Sequence, residues 1–258
     1  MSYGDYSSLD TPELIQFIFH PRKEFTLPPP NATDHLIPVE RDISISCRFY
    51  VHGQGSPSIL FFHGNGEVAC DYDYFAPLYN ELGINLFVAD YRGYGSSSGT
   101  PTFSNTIADA HGIFRGFGDM LRAGGYSGEV FVMGRSLGSV SAIELASHYQ
   151  GQIKGLIIES GIASVARMMA HLGFSMEYLG ITDAEIPNLS KIQAITLPTL
   201  IIHGEYDSLI PRGEADALFE NTAAEDRRLV VIPRADHNTI MLAGMQLYFE
   251  AIRDFVFG

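Results

Sequence analysis

Short apolar runs recur along the chain between stretches of helical spacing. Six runs of three or four consecutive apolar residues lie at 59–62, 86–89, 130–133, 156–158, 200–202 and 229–232. Because their hydrophobicity is continuous rather than alternating, we predict strands that are buried on both faces, as in a parallel sheet covered by helices.

Apolar residues at a spacing of three or four predict helices between and after these strands. The two clearest stripes consist of Ile107, Ala110, Phe114, Phe117 and Leu121, and of Met241, Met245, Tyr248, Ile252 and Phe255. Alternating strands and helices predict an α/β fold with a doubly wound, mostly parallel sheet.

The sequence pattern predicts an N-terminal arm and one α/β domain, and the domain contains an insertion. Residues 1–35 are predicted to form an N-terminal arm lying over an α/β domain of residues 36–258. Alternating apolar positions in 43–51 predict a strand antiparallel to 36–39. Residues 161–195 show no strand pattern but carry many large apolar side chains. We interpret this insertion as a small helical cap over the site, the alternative being a satellite core packed on the sheet edge.

A Gly-x-Ser-x-Gly pentapeptide, residues 134–138, follows the apolar run at 130–133 and precedes a helical pattern. Strand, sharp turn and helix together are the setting of a nucleophile elbow, in which the turn holds a serine in a strained backbone conformation. Side chains at the two outer positions would collide with neighbouring backbone, which explains the glycines. Ser136 is therefore the predicted nucleophile.

A serine hydroxyl needs a base to take its proton, and the base needs an acid to orient it. Proteins with this elbow carry the three groups in the order serine, acid, histidine. Asp207 follows the fifth apolar run and His237 the sixth, which places both at the sheet edge expected for Ser136. Glu205 is a rival acid with less reach, whereas His237 alone among nine histidines follows both Ser136 and the Asp207 loop.

The site also needs hydrogen-bond donors for a negatively charged oxygen. We expect the backbone N–H of Leu137, at a helix start, and that of Asn65, between two glycines. A phosphate cradle is the alternative for the glycine-rich loop, but the lysine and Ser/Thr that it requires are missing. The predicted apolar substrate pocket is lined by Tyr72, Tyr74, Phe75, Met168, Met169 and Leu172.

Composition narrows the possible partners. With 258 residues, 46% of them apolar, the chain can bury one large core. A net charge of −14 disfavours nucleic acid and anionic membranes. Cys47 and Cys70 make neither a disulfide framework nor a zinc-binding pattern. No apolar segment reaches the ~20 residues of a membrane helix and no signal peptide is evident. We expect a cytoplasmic protein without stable membrane insertion, metal or cofactor, and predict no oligomeric state.

Five segments together carry a family resemblance: residues 63–66 (His-Gly-Asn-Gly), 90–99 (Asp-Tyr-Arg-Gly-Tyr-Gly-Ser-Ser-Ser-Gly), the Ser136 elbow, the Asp207 loop and 237–238 (His-Asn). On these segments the chain resembles the α/β-hydrolase superfamily, and more narrowly the serine hydrolases of the BEM46 and ABHD17-like group.

The resemblance implies Ser136 as nucleophile, Asp207 as acid, His237 as base, and the amides of Asn65 and Leu137 as oxyanion hole. It implies action on carboxylic esters, thioesters and sometimes amides, without a cofactor. The chain departs from the group in having aspartate where glycine commonly precedes the histidine, at position 236. It also shows no N-terminal anchor or lipidated cysteines, which argues against a depalmitoylase acting at membranes.

The sequence thus predicts a serine hydrolase that cleaves carboxylic ester or thioester bonds of small acyl substrates through an acyl-enzyme intermediate. Two alternatives remain. One is a peptidase or amidase acting on short peptides, and the other is a catalytically silent binding protein on the same fold.

Overall fold

An eight-stranded sheet forms the centre of the computed structural model, which describes residues 6–174 and 187–258. Its strands are β1 (Ala32–Glu40), β2 (Ile43–Tyr50), β3 (Ser58–Phe62), β4 (Asn85–Ala89), β5 (Val130–Arg135), β6 (Gly155–Glu159), β7 (Thr199–Gly204) and β8 (Arg227–Ile232). Their spatial order is β1-β2-β4-β3-β5-β6-β7-β8. β2 runs antiparallel to both neighbours, and all pairs from β4 to β8 are parallel. The predicted mostly parallel sheet is confirmed.

Helices connect the strands and cover both faces of the sheet. They are α1 (Pro12–Ile18), α2 (Ala76–Glu81), α3 (Phe103–Ala123), α4 (Gly138–His148), α5 (Val165–His171), α6 (Asn188–Ile192), α7 (Gly213–Asn221), α8 (Ile240–Ala243) and α9 (Met245–Val256). Two 3-10 turns, Ser7–Leu9 and Ala69–Tyr74, precede α1 and α2.

The core lies in two layers, one on each side of the sheet. In β3, Leu60 and Phe62 face the layer that contains residues of α3 and α4, whereas Ile59 and Phe61 face the layer that contains residues of α2 and α9. Because side chains alternate along a strand, a strand buried on both sides is expected to carry apolar residues at consecutive positions. This explains the continuous apolar runs of the inner strands β3 to β7, whereas β8, at the sheet edge, is only partly buried.

The two predicted helical stripes have different outcomes. All five residues of the first stripe are buried on α3. The second stripe is divided, because Met241 lies on α8 while α9 begins after Gly244. A Cβ on Gly244 would lie 2.4 Å from Ile232 Cγ2, so the backbone between the two helices passes close to the end of β8. Met245 is 42% exposed, in contrast to its prediction as a core residue.

The flanking segments largely follow the sequence pattern. Leu36 of β1 lies opposite Ser46 of β2 in the expected antiparallel pair, although β1 already begins at Ala32. Of the predicted cap, the structure describes α5 and α6, and residues 175–186 lie outside the described residues. Among the helices described, none combines the length and the hydrophobicity needed to cross a bilayer.

Candidate active site

Ser136 occupies a tight turn between β5 and α4. Its φ of 52° lies in the left-handed region, and its N–H donates to the Glu159 carbonyl of the neighbouring strand at 2.9 Å. A Cβ at Gly134 would lie 2.3 Å from the Gly138 carbonyl oxygen, and one at Gly138 would lie 2.0 Å from that of Phe62. Only glycine fits at either position, so the turn has the backbone geometry of a nucleophile elbow.

The structure brings the three predicted chemical groups into one hydrogen-bonded row. His237 Nε2 lies 3.1 Å from Ser136 Oγ, and His237 Nδ1 lies 2.7 Å from Asp207 Oδ2. The other oxygen of Asp207 accepts the N–H groups of Leu209 and Ile210 at 3.0 and 2.8 Å. Burial by itself would raise the pKa of Asp207, but the His237 hydrogen bond and charge and the Ile210 amide hold it below its ordinary value. The carboxylate is therefore ionised at neutral pH and fixed in orientation.

The other two carboxylates near this row have separate partners. Glu205, the rival acid, accepts the backbone N–H of Arg234 at 2.8 Å. Asp236 is exposed and accepts the N–H groups of Asn238 and Thr239 at 2.9 and 3.0 Å. The Asn238 hydrogen bond is the largest cause of the lowered pKa of Asp236. Asp236 thus caps the turn that carries the histidine and faces solvent.

Both predicted oxyanion-hole residues, Asn65 and Leu137, line the same cavity as Ser136. Within residues 6–174 and 187–258, their backbone N–H groups have no protein acceptor. The N–H of Gly64, by contrast, donates to Glu67 Oε2 at 2.8 Å. A carboxylate of the chain itself occupies that amide, which disfavours the phosphate-cradle interpretation of this loop.

The cavity has a volume of about 380 Å³ and a wall of mostly apolar side chains. Met168 and Leu172 of the predicted pocket line it. Three side chains of the N-terminal arm, which the sequence did not indicate, line it as well: Phe17, Ile18 and His20. A larger cavity of about 540 Å³ lies beside the second half of α3, but it is lined by none of the predicted site residues and by none of the three arm residues.

Four predicted pocket residues lie elsewhere. Tyr72 and Phe75 line a separate cavity of about 220 Å³, Tyr74 is 87% exposed, and Met169 is buried in the core. Tyr72, Tyr74 and Phe75 lie in or directly after the 3-10 turn Ala69–Tyr74, in which the Tyr72 hydroxyl donates to Glu67 Oε2 at 2.8 Å. The structure therefore does not bring these four residues to the cavity that contains Ser136.

A buried charge network that the sequence did not reveal joins the loops around Ser136 and His237. Arg135 Nε donates to Glu67 Oε1 at 2.8 Å, and its Nη1 donates to Glu159 Oε1 at 2.6 Å. Its Nη2 donates to the backbone carbonyl of His237 at 3.0 Å. The second oxygen of Glu159 accepts the Tyr248 hydroxyl at 2.7 Å. One guanidinium therefore ties the oxyanion loop, the end of β6 and the histidine loop together.

The charges in this network control each other. Burial raises the pKa of Glu67, but the nearby Arg135 charge more than reverses this and lowers it to about 2. The same carboxylates raise the pKa of Arg135 above its ordinary value despite its burial. A charged residue inside an otherwise apolar strand-to-helix turn was the available sequence signal, but no periodic pattern identifies its partners.

Among the described residues, one cluster of potential metal ligands lies apart from the triad. It consists of His111, Glu144 and His148. Glu144 Oε1 lies 3.0 Å from His111 Nε2, while Lys191 Nζ lies 2.5 Å from Glu144 Oε2. A divalent cation there would face an ammonium that already neutralises the carboxylate. The absence of a metal from the function therefore stays our prediction.

A strained serine after a central parallel strand, with a histidine and an aspartate at the same sheet edge, places the chain among the α/β-hydrolases. The family model described as "Serine aminopeptidase, S33" (Hydrolase_4) matches residues 54–190 and 178–241. The chain belongs to this family.

Curated relatives support the narrower resemblance. The chain is 34% identical over 200 residues to alpha/beta hydrolase domain-containing protein 17B of Homo sapiens, an overlap covering 77% of this chain and 66% of that protein. The protein of the same name from Xenopus laevis matches with the same values. The chain thus spans slightly less than two thirds of the length of these relatives. The resemblance to the ABHD17-like group is confirmed.

Solved structures share the fold at lower identity. An esterase of Pyrococcus furiosus superposes with a TM-score of 0.74 at 20% identity, covering 91% of this chain and 97% of the esterase. Est1E of Butyrivibrio proteoclasticus, solved with ferulic acid bound, gives a TM-score of 0.70 at 20% identity, covering 86% of this chain and 97% of Est1E. At these identities the likeness establishes a common fold.

Proposed function

We propose that the chain is a serine hydrolase that cleaves carboxylic ester or thioester bonds of small acyl substrates through an acyl-enzyme intermediate. The observation that carries this proposal is the hydrogen-bonded row from Asp207 through His237 to Ser136 at 2.7 and 3.1 Å. It gives a hydroxyl the base that it needs at the moment of attack.

The mechanism assigns one task to each group. Ser136 Oγ bonds to the acyl carbon as its proton passes to His237 Nε2, and Asp207 stabilises the imidazolium. The tetrahedral oxyanion accepts the N–H groups of Asn65 and Leu137. When the intermediate collapses, the bond to the alcohol or thiol breaks and His237 returns the proton to that leaving group. Water then attacks the acyl-enzyme by the same route and releases the carboxylic acid.

The cavity favours acyl substrates over short peptides. An aminopeptidase has to bind a free α-ammonium, for which an unpaired carboxylate is the natural partner. Among the described residues that line the cavity, Glu67 is the one acidic side chain, and it already pairs with Arg135. Its other oxygen accepts Gly64 N–H and the Tyr72 hydroxyl. The name of the family, serine aminopeptidase, keeps peptidase activity as the second candidate, which an aminoacyl anilide tests directly.

The test compares Ser136→Ala with Ser141→Ala. Ser141 is a buried serine on α4 whose hydroxyl makes no hydrogen bond within the described chain. With p-nitrophenyl butyrate and a butyryl thioester, we expect Ser136→Ala to lose at least about 10³-fold in kcat. Ser141→Ala should hydrolyse both at the parent rate. A fluorophosphonate probe should label the parent and Ser141→Ala but not Ser136→Ala. Hydrolysis by Ser136→Ala within a few-fold of the parent would refute the mechanism, and an unlabelled, inactive parent would favour a silent binding protein.

A further inference from the structure

The N-terminal arm passes directly over the catalytic cavity. Phe17 and Ile18, at the end of α1, form part of its wall together with Met168 and Leu172 on the cap side. The Phe17 ring also meets Phe174, with ring centroids 4.0 Å apart. The arm and the cap therefore meet above the serine. The residues that they contribute to the cavity wall are more than 100 positions apart in the sequence.

Contacts on the amino-terminal side fix this part of the arm. Thr11 caps α1 by accepting the N–H of Leu14, and the side chains of Leu14 and Ile18 are buried in the core. Phe19, directly after α1, packs edge-on against Phe103 of α3 with ring centroids 5.4 Å apart. Ile18 thus lies between two buried anchors, and Phe17 is held toward the cavity by the same turn of helix.

Contacts on the carboxyl-terminal side tie the arm to the oxyanion loop. The backbone N–H of His20 lies 2.9 Å from Asn65 Oδ1 and 2.9 Å from the Tyr94 hydroxyl, and that hydroxyl donates to Asn65 Oδ1 at 2.7 Å. Arg22 Nη1 donates to the Gly66 carbonyl at 3.0 Å. The arm is therefore part of the framework that holds the loop carrying one predicted oxyanion donor.

We propose that Phe17 of the N-terminal arm determines which acyl chain lengths the site accepts, by forming the end wall of the acyl pocket. This proposal rests on the proposed hydrolase function. At about 380 Å³ the cavity lies near the lower end of the usual range for ligand pockets. A fixed aromatic wall therefore favours short to medium acyl chains, and a longer chain must displace it.

Chain-length profiles measure this directly. Each methylene that enters an apolar pocket raises kcat/KM about fourfold. For the parent protein, we expect this rise from acetyl upward, followed by a fall once the chain reaches the Phe17 ring. In Phe17→Ala the wall recedes, so the optimum should move to chains longer by roughly three to four carbons, and the dodecanoyl-to-butanoyl ratio of kcat/KM should rise at least about tenfold.

Leu14→Ala is the matched control. Leu14 lies on the same helix as Phe17, and its replacement by alanine loosens the packing of that helix. Because Leu14 does not line the cavity, the chain-length optimum of this variant should match that of the parent. Melting temperatures of both variants report whether they fold. Rates of labelling by alkyl fluorophosphonates of increasing length give a second profile that does not depend on turnover.

The possible results separate the two proposals. A folded Phe17→Ala variant with the parent optimum, or a shift of equal size in Leu14→Ala, overturns the role of Phe17 and leaves the hydrolase function intact. A parent protein that reacts with no ester, thioester or phosphonate of any length overturns the proposed function and the role of Phe17 with it. A shift confined to Phe17→Ala supports both.

Discussion

Replacing Arg135 by methionine tests the buried charge network beneath the triad. Arg135 is 6% exposed and pairs with two carboxylates, of which Glu159 is fully buried and Glu67 has a side chain that is 26% exposed. Methionine retains much of the length of the side chain and removes its charge and its donors. Both carboxylates then lose the cation that compensates for their burial.

The main cost comes from Glu159, because the more exposed Glu67 can recover part of its hydration. Leaving one partner of a buried ion pair uncompensated costs about 3–5 kcal/mol. Glu159 keeps the hydrogen bond from the Tyr248 hydroxyl, so we expect the lower end, about 3 kcal/mol. For a chain of this size, about 3 kcal/mol lowers the melting temperature by roughly 6–12 °C.

The low pKa of Glu67 makes the stability lost in Arg135→Met depend on pH, and the direction of this dependence follows from the pKa. In the parent fold its pKa is about 2, below that of an unfolded glutamate. Glu67 therefore contributes stability that is present above about pH 4.3 and is lost as the pH falls toward 2. Without Arg135, burial raises this pKa, so the same carboxylate opposes folding above about pH 4.3 and ceases to do so once it is protonated. The deficit of the variant should shrink between pH 7.5 and pH 4.5.

Thermal unfolding of the parent and of Arg135→Met at both pH values is the assay. The matched control is the triple variant Glu67→Gln, Arg135→Met, Glu159→Gln, in which no buried charge is left unpaired. It should recover most of the lost melting temperature, because neutral amides cost less to bury than carboxylates. A fall of less than about 2 °C at pH 7.5, or an equal deficit at both pH values, would show that the network does not stabilise the fold in this way.

Two further predictions concern the site itself. Asp207→Asn should lower kcat about 10³–10⁴-fold, because the carboxylate that accepts His237 Nδ1–H is lost. Asp236→Asn, at the exposed carboxylate next to the histidine, should change kcat by no more than about twofold. Ester kinetics on the two folded variants test both expectations. Gly138→Ala should lower the free energy of unfolding by several kcal/mol, because the new Cβ would lie 2.0 Å from the Phe62 carbonyl oxygen. A Cβ on Gly151 has no neighbour within 4 Å, so Gly151→Ala should leave the melting temperature unchanged or slightly raised. Equal melting temperatures for the two alanine variants would refute the steric account of the elbow.

Local backbone requirements made much of the site predictable. The elbow needs glycines at two fixed positions, and parallel strands release their chemical groups at one edge of the sheet. Ser136, Asp207 and His237 each follow an apolar run, so their meeting could be inferred from strand order without any side-chain contact. The same reasoning placed the N–H groups of Asn65 and Leu137 beside the serine.

The substrate pocket could not be predicted in this way, because its wall depends on where loops turn. Tyr72, Tyr74 and Phe75 follow the oxyanion loop closely in sequence, which suggested that they face the substrate. Tyr72 and Tyr74 belong to the 3-10 turn Ala69–Tyr74 and Phe75 ends it, and within this turn the Tyr72 hydroxyl donates to Glu67 Oε2. Proximity along the chain indicates a shared site only when the backbone between the residues is regular.

Arg135 and Phe17 illustrate what local patterns leave out. Each acts on partners far away in sequence: Arg135 on Glu67 and Glu159, and Phe17 on the opposite wall of the cavity. Arg135 stands at a variable position of the elbow pentapeptide, at the end of β5, and Phe17 lies on α1, but no local pattern identifies the partners of either residue, because tertiary packing brings them together. In this chain, the groups proposed to react are therefore encoded locally. The groups proposed to hold them and to limit the substrate are encoded by the assembled fold.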